Sequence, residues 1–131
     1  MKLVLASQGF TTDEIAKRVS ELAGIPLNEI NVVIINQAHV ASAVHDKRWL
    51  INELSLIAKY CGGTINFLDI CDAKTDFEKC DLIYIVGGAQ FILPELFISS
   101  GFDKTLRELA KTKIIMGTSA GTTVLGKHFP E

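Results

Sequence analysis

The stretch KTKIIMGTSAGTTVLG (residues 111–126) drives an apolar run of the strand type, KIIM, into Gly-Thr-Ser-Ala-Gly. The next residues, TTVLG, are able to coil into a helix. A strand that turns sharply through Gly-x-Ser-x-Gly into a helix is the pattern of a nucleophile elbow. The string alone is weak evidence, since about 4% of chains this long would hold one by chance at ordinary Gly and Ser frequencies. Its setting sharpens it. Gly117 and Gly121 remove side chains where strand and helix approach closely, so Ser119 can occupy a strained turn with its hydroxyl lifted out of the sheet. The amides at the start of the helix offer unpaired N–H groups and partial positive charge, which suit a developing oxyanion. An anion site at a helix N-terminus, or a plain tight turn, is the alternative for the same residues.

Working back along the chain, DLIYIVGG (81–88), TINFLDI (64–70), INVVIIN (30–36) and KLVLAS (2–7) are further strand-type runs. INVVIIN is continuously apolar, as a strand buried on both faces must be. Between the runs lie helical patterns. TTDEIAKRVSELAG (11–24) sets Ile15, Val19 and Leu22 on one face, with Thr11 or Thr12 as a cap and Gly24 as the stop. DKRWLINELSLIAKYCGG (46–63) turns Trp49, Ile51, Leu54, Ile57 and Ala58 inward and stops at Gly62 and Gly63. TDFEKC makes one helical turn, and FILPELFISSG with FDKTLRELAKT makes one or two helices divided near Gly101.

Strands alternating with helices imply right-handed βαβ crossovers and a mostly parallel sheet covered on both faces. The predicted fold class is therefore α/β: a three-layer α/β/α sandwich, one domain over residues 1–131, with no repeat or linker. Its simplest strand order is 3-2-1-4-5, which makes the fifth strand an edge. Such an edge exposes unpaired backbone. The expectation is that the chain forms a symmetric homodimer that buries the outer side of the fifth strand or its neighbouring helices.

Bulk properties remove several function classes. The chain has 131 residues, 48% of them hydrophobic, and a formal charge of −2 with Lys and Arg scattered. No basic face suits a nucleic acid. No apolar run nears the roughly 18 residues of a membrane span. MKLVLASQGF is too short in its apolar part for a signal peptide and reads as a first strand, which predicts a cytoplasmic protein. Cys61, Cys71 and Cys80 have no metal-type spacing and are expected as buried or half-buried thiols. No metal and no cofactor is predicted.

In a parallel sheet the ligand sits outside the carboxyl ends of the strands. Both GTSAG and IVGGAQ (85–90) fall there. The glycine pair lets backbone amides face a ligand, so the N–H groups of Gly88 and Ala120 form a candidate two-donor oxyanion hole; a plain strand-to-helix turn is the alternative.

DLIYIVGGAQFILPEL followed about thirty residues later by IIMGTSAGTTVLG resembles the peptidase E (aspartyl dipeptidase) and cyanophycinase family of serine peptidases. The first strand, the helix of residues 46–63 and the strand after it fit the same plan. The likeness covers essentially all of this chain and the N-terminal part of a usual family member. It implies Ser119 as nucleophile, Gly88 and Ala120 as oxyanion donors, and a small peptide or dipeptide substrate with an amino-terminal aspartyl residue. The family commonly has Asn after the two glycines, where this chain has Ala89, so Gln90 becomes a candidate substrate contact. The related class I glutamine amidotransferases use Cys at the elbow, and Ser119 argues against their chemistry.

A serine nucleophile needs a general base within hydrogen-bond reach. In the family the histidine and its acidic partner follow the nucleophile well downstream. Here His128, nine positions on, lies roughly 13 Å along a continued helix and points away. His39 and His45, in the loop after the second strand, are the candidate bases. In the order 3-2-1-4-5 their strand stands about 14 Å from the fifth. Gln8, after the first strand, also faces the active edge and is a candidate substrate contact. Asp69, Asp72, Asp13 and Glu14 read as solvated or capping residues. Three outcomes stay open: a dipeptidase-like hydrolase, a non-catalytic relative kept as a binding module, and a fragment of a longer enzyme.

Overall fold

Successive apolar residues force a strand to be covered on both faces, and three strands meet that demand here. The computed structural model describes residues 2–6, 10, 13–35, 48–68, 77, 79–86 and 98–118, with residues 2–6, Trp49 and Thr118 described by their backbone. The elements in chain order are β1 (Lys2–Ala6), α1 (Asp13–Ala23), a 3-10 turn (Leu27–Glu29), β2 (Val32–Ile35), α2 (Arg48–Tyr60), β3 (Ile65–Leu68), β4 (Leu82–Ile85), α3 (Phe102–Leu109) and β5 (Ile114–Thr118). All residues of β2 and β4 are buried, as are Ile114, Ile115 and Met116 of β5.

The sheet has five strands in the order β1-β5-β4-β2-β3, and every pairing is parallel. The α/β class and the parallel sheet are as the sequence predicts, but the strand order is not. β5 lies between β1 and β4, with Lys2 opposite Ile114 on one side and Leu82 opposite Ile114 on the other. The physical reason is in the residues: Ile114 to Met116 expose at most 2% of their surface, and only an interior strand satisfies such a run on both faces and both backbone edges. The edge expected at β5 does not exist. Among the described residues the edges are β1 and β3. β3 shows edge character, with Ile65, Asn66 and Phe67 exposed and Leu68 buried.

Alternate strand residues face opposite layers, as a period of two requires. Val32, Ile34, Leu82, Tyr84, Ile114 and Met116 pack with Ala16 and Val19 of α1 and Leu50 and Ile57 of α2. Val33, Ile35, Ile83, Ile85 and Ile115 pack with Phe102, Leu106 and Ala110. Thus α1 and α2 cover one face and α3 the other.

Helix α1 buries Ala16 and Val19, with Ile15 and Leu22 packed beside them. It ends at Gly24, whose φ of 71° suits glycine and whose N–H donates to the Ser20 carbonyl. Residues 98–100 form a helical turn that Gly101, with φ 74°, separates from α3, as expected. Helix α2 is rotated from its predicted setting. Leu50, Glu53 and Ile57 are buried, whereas Ile51 is 64% exposed and Ala58 is exposed. Positions 50, 53, 57 and 61 form one stripe at helical spacing, and Ile51 stands about 100° away from Leu50 around the axis.

The turn from α2 into β3 passes in backbone contact with the 3-10 turn. A Cβ on Gly63 would lie 2.3 Å from the Ile30 carbonyl oxygen, so no other residue fits without displacement. Nearby, Asn31 ties three strands together at the amino edge of the sheet. Its N–H donates to Asp81 Oδ2 (2.9 Å), its Nδ2 to the Lys79 carbonyl (3.0 Å), and its Oδ1 accepts from the Thr64 N–H (2.8 Å). Cys61 and Cys80 are buried free thiols, and burial pushes both up to about 11. Cys71 lies outside the described residues.

Candidate active site at the carboxyl edge

Because every strand is parallel, Ala6, Ile35, Leu68, Ile85 and Thr118 end at one edge of the sheet. Two of those ends matter most. β4 and β5 are immediate neighbours, with Ile85 opposite Gly117. Along the chain Ser119 comes two residues after Gly117, and Gly88 three residues after Ile85. The nucleophile-bearing and glycine-pair segments therefore leave adjacent strands at matched height. Val86 is fully buried and its N–H donates to the Ile35 carbonyl at 2.9 Å, which holds the chain against β2 up to the first glycine.

The observed strand order changes two distances. β1 lies directly beside β5, with Ala6 opposite Thr118, so the segment carrying Gln8 leaves next to the one carrying Ser119. In the expected order these strands were two steps apart. β2 stands two steps from β5 rather than three, about 10 Å at roughly 4.8 Å per step. His39 follows Ile35 by four residues. Ser119, Ala120, Gly88, Gln8, Gln90, His39 and His45 themselves lie outside the described residues, as do Asp69, Asp72 and His128. The structure brings together the strand ends from which the first seven continue.

Around Tyr84, the residue before the last of β4, lies a buried polar and aromatic cluster with Glu53 and Phe10, and sequence reasoning missed it. Tyr84 is fully buried on β4 and its Oη donates to Glu53 Oε1 of α2 at 2.6 Å. Phe10 stacks on Tyr84 at 6.2 Å between centroids and on Tyr60 at 5.9 Å. The Tyr60 Oη donates to Asp13 Oδ1 at 2.5 Å. That bond pushes the Tyr60 hydroxyl above its ordinary value, with burial and the Asp13 charge adding to it. Asp13 thus has a hydrogen-bond partner at the start of α1. The signal for Glu53 was present: a carboxylate inside the apolar stripe of a helix, three residues from Leu50 and four from Ile57.

Among the described residues no group of three or more His, Cys, Asp or Glu is placed to hold a metal ion. Among the same residues no helix is long and apolar enough to cross a membrane.

An all-parallel sheet between helical layers, with a Gly-Thr-Ser-Ala-Gly exit beside a Gly-Gly exit, defines an α/β protein of the Rossmann-like class. The model of Peptidase family S51 matches residues 38–130, and the chain belongs to that family. A search of curated proteins finds no match. Among solved structures, the chain is similar to a Listeria monocytogenes EGD-e protein assigned as a peptidase E, at 27% identity and a TM-score of 0.72. The match covers 95% of this chain and 62% of that protein, so this chain spans less than two thirds of its relative's length. The resemblance to peptidase E read from the sequence therefore stands.

Proposed function

We propose that this chain is a serine-type peptidase or dipeptidase of the peptidase E kind, with Ser119 as nucleophile. One observation carries the reading: in a family S51 chain, β5, whose last residue Thr118 immediately precedes Ser119 in the sequence, is paired with β4, from which the chain runs on to Gly88. The Ser119 Oγ attacks the carbonyl carbon of a small peptide, and its proton passes to a base. The tetrahedral oxygen takes hydrogen bonds from the N–H groups of Gly88 and Ala120. Collapse expels the amine and leaves an acyl-enzyme that water hydrolyses. His39 and His45 are the candidate bases within this chain, and the two-step separation of β2 from β5 favours them more than the expected three steps did. Gln8 and Gln90 are the candidate substrate contacts.

A homodimer belongs to the same proposal; since β5 is interior, it would bury the helices beside that strand or one of the edges found among the described residues, β1 and β3. It would bring a second set of histidines. A cytoplasmic setting is part of the same proposal and fits buried free thiols at Cys61 and Cys80.

A fluorophosphonate probe tests the reading. Labelling of the native chain that Ser119→Ala abolishes supports it. A folded chain that takes up no label favours a binding module built on the same elbow.

A further inference from the structure

Glu53 is the one charged residue that is buried among the described residues, at 6% exposure. A carboxylate taken out of water needs hydrogen-bonding partners, and replacing a buried polar pair with packed apolar residues is often neutral or stabilising. Stability alone is therefore a weak reason for the pair. Geometry is a better one. A 2.6 Å bond between two buried groups fixes how α2 is rotated and where it sits along β4.

The connections of this pair run to every candidate site segment. Tyr84 lies opposite Met116 of β5, which comes three residues before Ser119. It also precedes Gly88 by four residues along the chain. Glu53 belongs to the helix that opens at Arg48, three residues after His45. Phe10, two residues after Gln8, lies against the Tyr84 ring. Three connections thus depart from groups in contact with one tyrosine or from the strand beside it.

We infer that Glu53 and Tyr84 are a positioning pair, which fixes the first turns of α2 and the Phe10 ring against the ends of β4 and β5, from which the chain runs on to Gly88 and Ser119. The inference rests on the proposed hydrolase activity. Tyr84→Phe and Glu53→Gln in the full chain test it, with Asn31→Ala, at the opposite edge of the sheet, as a destabilised comparator. Tyr84→Phe is expected to slow fluorophosphonate labelling and kcat at least about tenfold while KM changes little. Glu53→Gln keeps an acceptor for the tyrosine hydroxyl and is expected within about threefold of the native rate. Asn31→Ala is expected at the native rate at temperatures where it is folded. Native-rate labelling by Tyr84→Phe, or equal slowing in Asn31→Ala, overturns the inference.

If the native chain takes no label, the hydrolase reading fails by itself. Amide hydrogen exchange over residues 36–47 and 87–90 then decides the positioning role. Faster exchange in Tyr84→Phe but not in Asn31→Ala supports it, and equal exchange overturns it.

Discussion

Ile85 and Gly117 face each other across the parallel β4–β5 pair, the last paired position before the chain departs toward Gly88 on one side and Ser119 on the other. This alignment makes the nucleophile prediction specific. On the proposed hydrolase reading, Ser119→Ala is expected to lower kcat for a small peptide substrate by about 10⁴-fold or more. Its thermal midpoint should stay close to that of the native chain. Of His39→Ala and His45→Ala, the one that removes the base should match that loss, measured by the same peptide assay.

Asn31 acts at the other edge of the sheet, where it bonds to Asp81, Lys79 and Thr64. Only its side-chain bonds are lost on truncation, which strips the Thr64 N–H and the Lys79 carbonyl of partners. Asn31→Ala is expected to lower unfolding free energy by about 2 kcal/mol. Urea unfolding measures this, and the labelling rate of the folded protein should not change.

The rotation of α2 is checked by two substitutions on neighbouring turns. Ile51 is 64% exposed, so Ile51→Gln should change stability by no more than about 0.5 kcal/mol. Ile57 is fully buried, so Ile57→Ala should lower it by about 2–4 kcal/mol. A large loss at Ile51 would contradict the observed face.

Cys61 and Cys80 make a prediction for alkaline pH. Burial raises both thiols from 9.0 to about 11 in the folded chain. Between those values the unfolded chain has released the protons and the folded chain still holds them. Stability is therefore full below pH 9 and falls as pH rises toward 11, by up to roughly 3 kcal/mol for each thiol. Denaturant unfolding from pH 8 to pH 11 should show this fall, and Cys61→Ala should make it shallower. Below pH 9, alkylation of Cys61 and Cys80 in the folded protein should be slow.

The covered strands were legible because INVVIIN, DLIYIV and KIIM are apolar at consecutive positions, and only burial on both faces suits such runs. Helix ends were legible from Gly24, Gly62 and Gly101. The order of strands was not. Crossover handedness and parallel pairing leave several orders open, and the choice depends on which helix fills which groove. The rotation of α2 was obscured by Ile51, an apolar residue that looks toward water, and by Glu53, a charged one that does not. That a strand leads directly into the Gly-Thr-Ser-Ala-Gly string was legible, since β5 ends at Thr118. The cluster of Phe10, Glu53 and Tyr84 was not, because these residues are far apart in the chain and meet only through the fold.

Strand β1 hydrogen-bonds to β5, more than a hundred residues away along the chain, with Lys2 beside Ile114 and Ala6 beside Thr118. A ribosome therefore releases β1 long before its partner has been made. Until residue 118 emerges, an apolar N-terminal ribbon lacks the strand it pairs with among the described residues, and its eventual docking closes a long loop from Lys2 to Ile114, a slow kind of contact to form. Nascent chains stalled short of β5 should consequently be the species that chaperones hold.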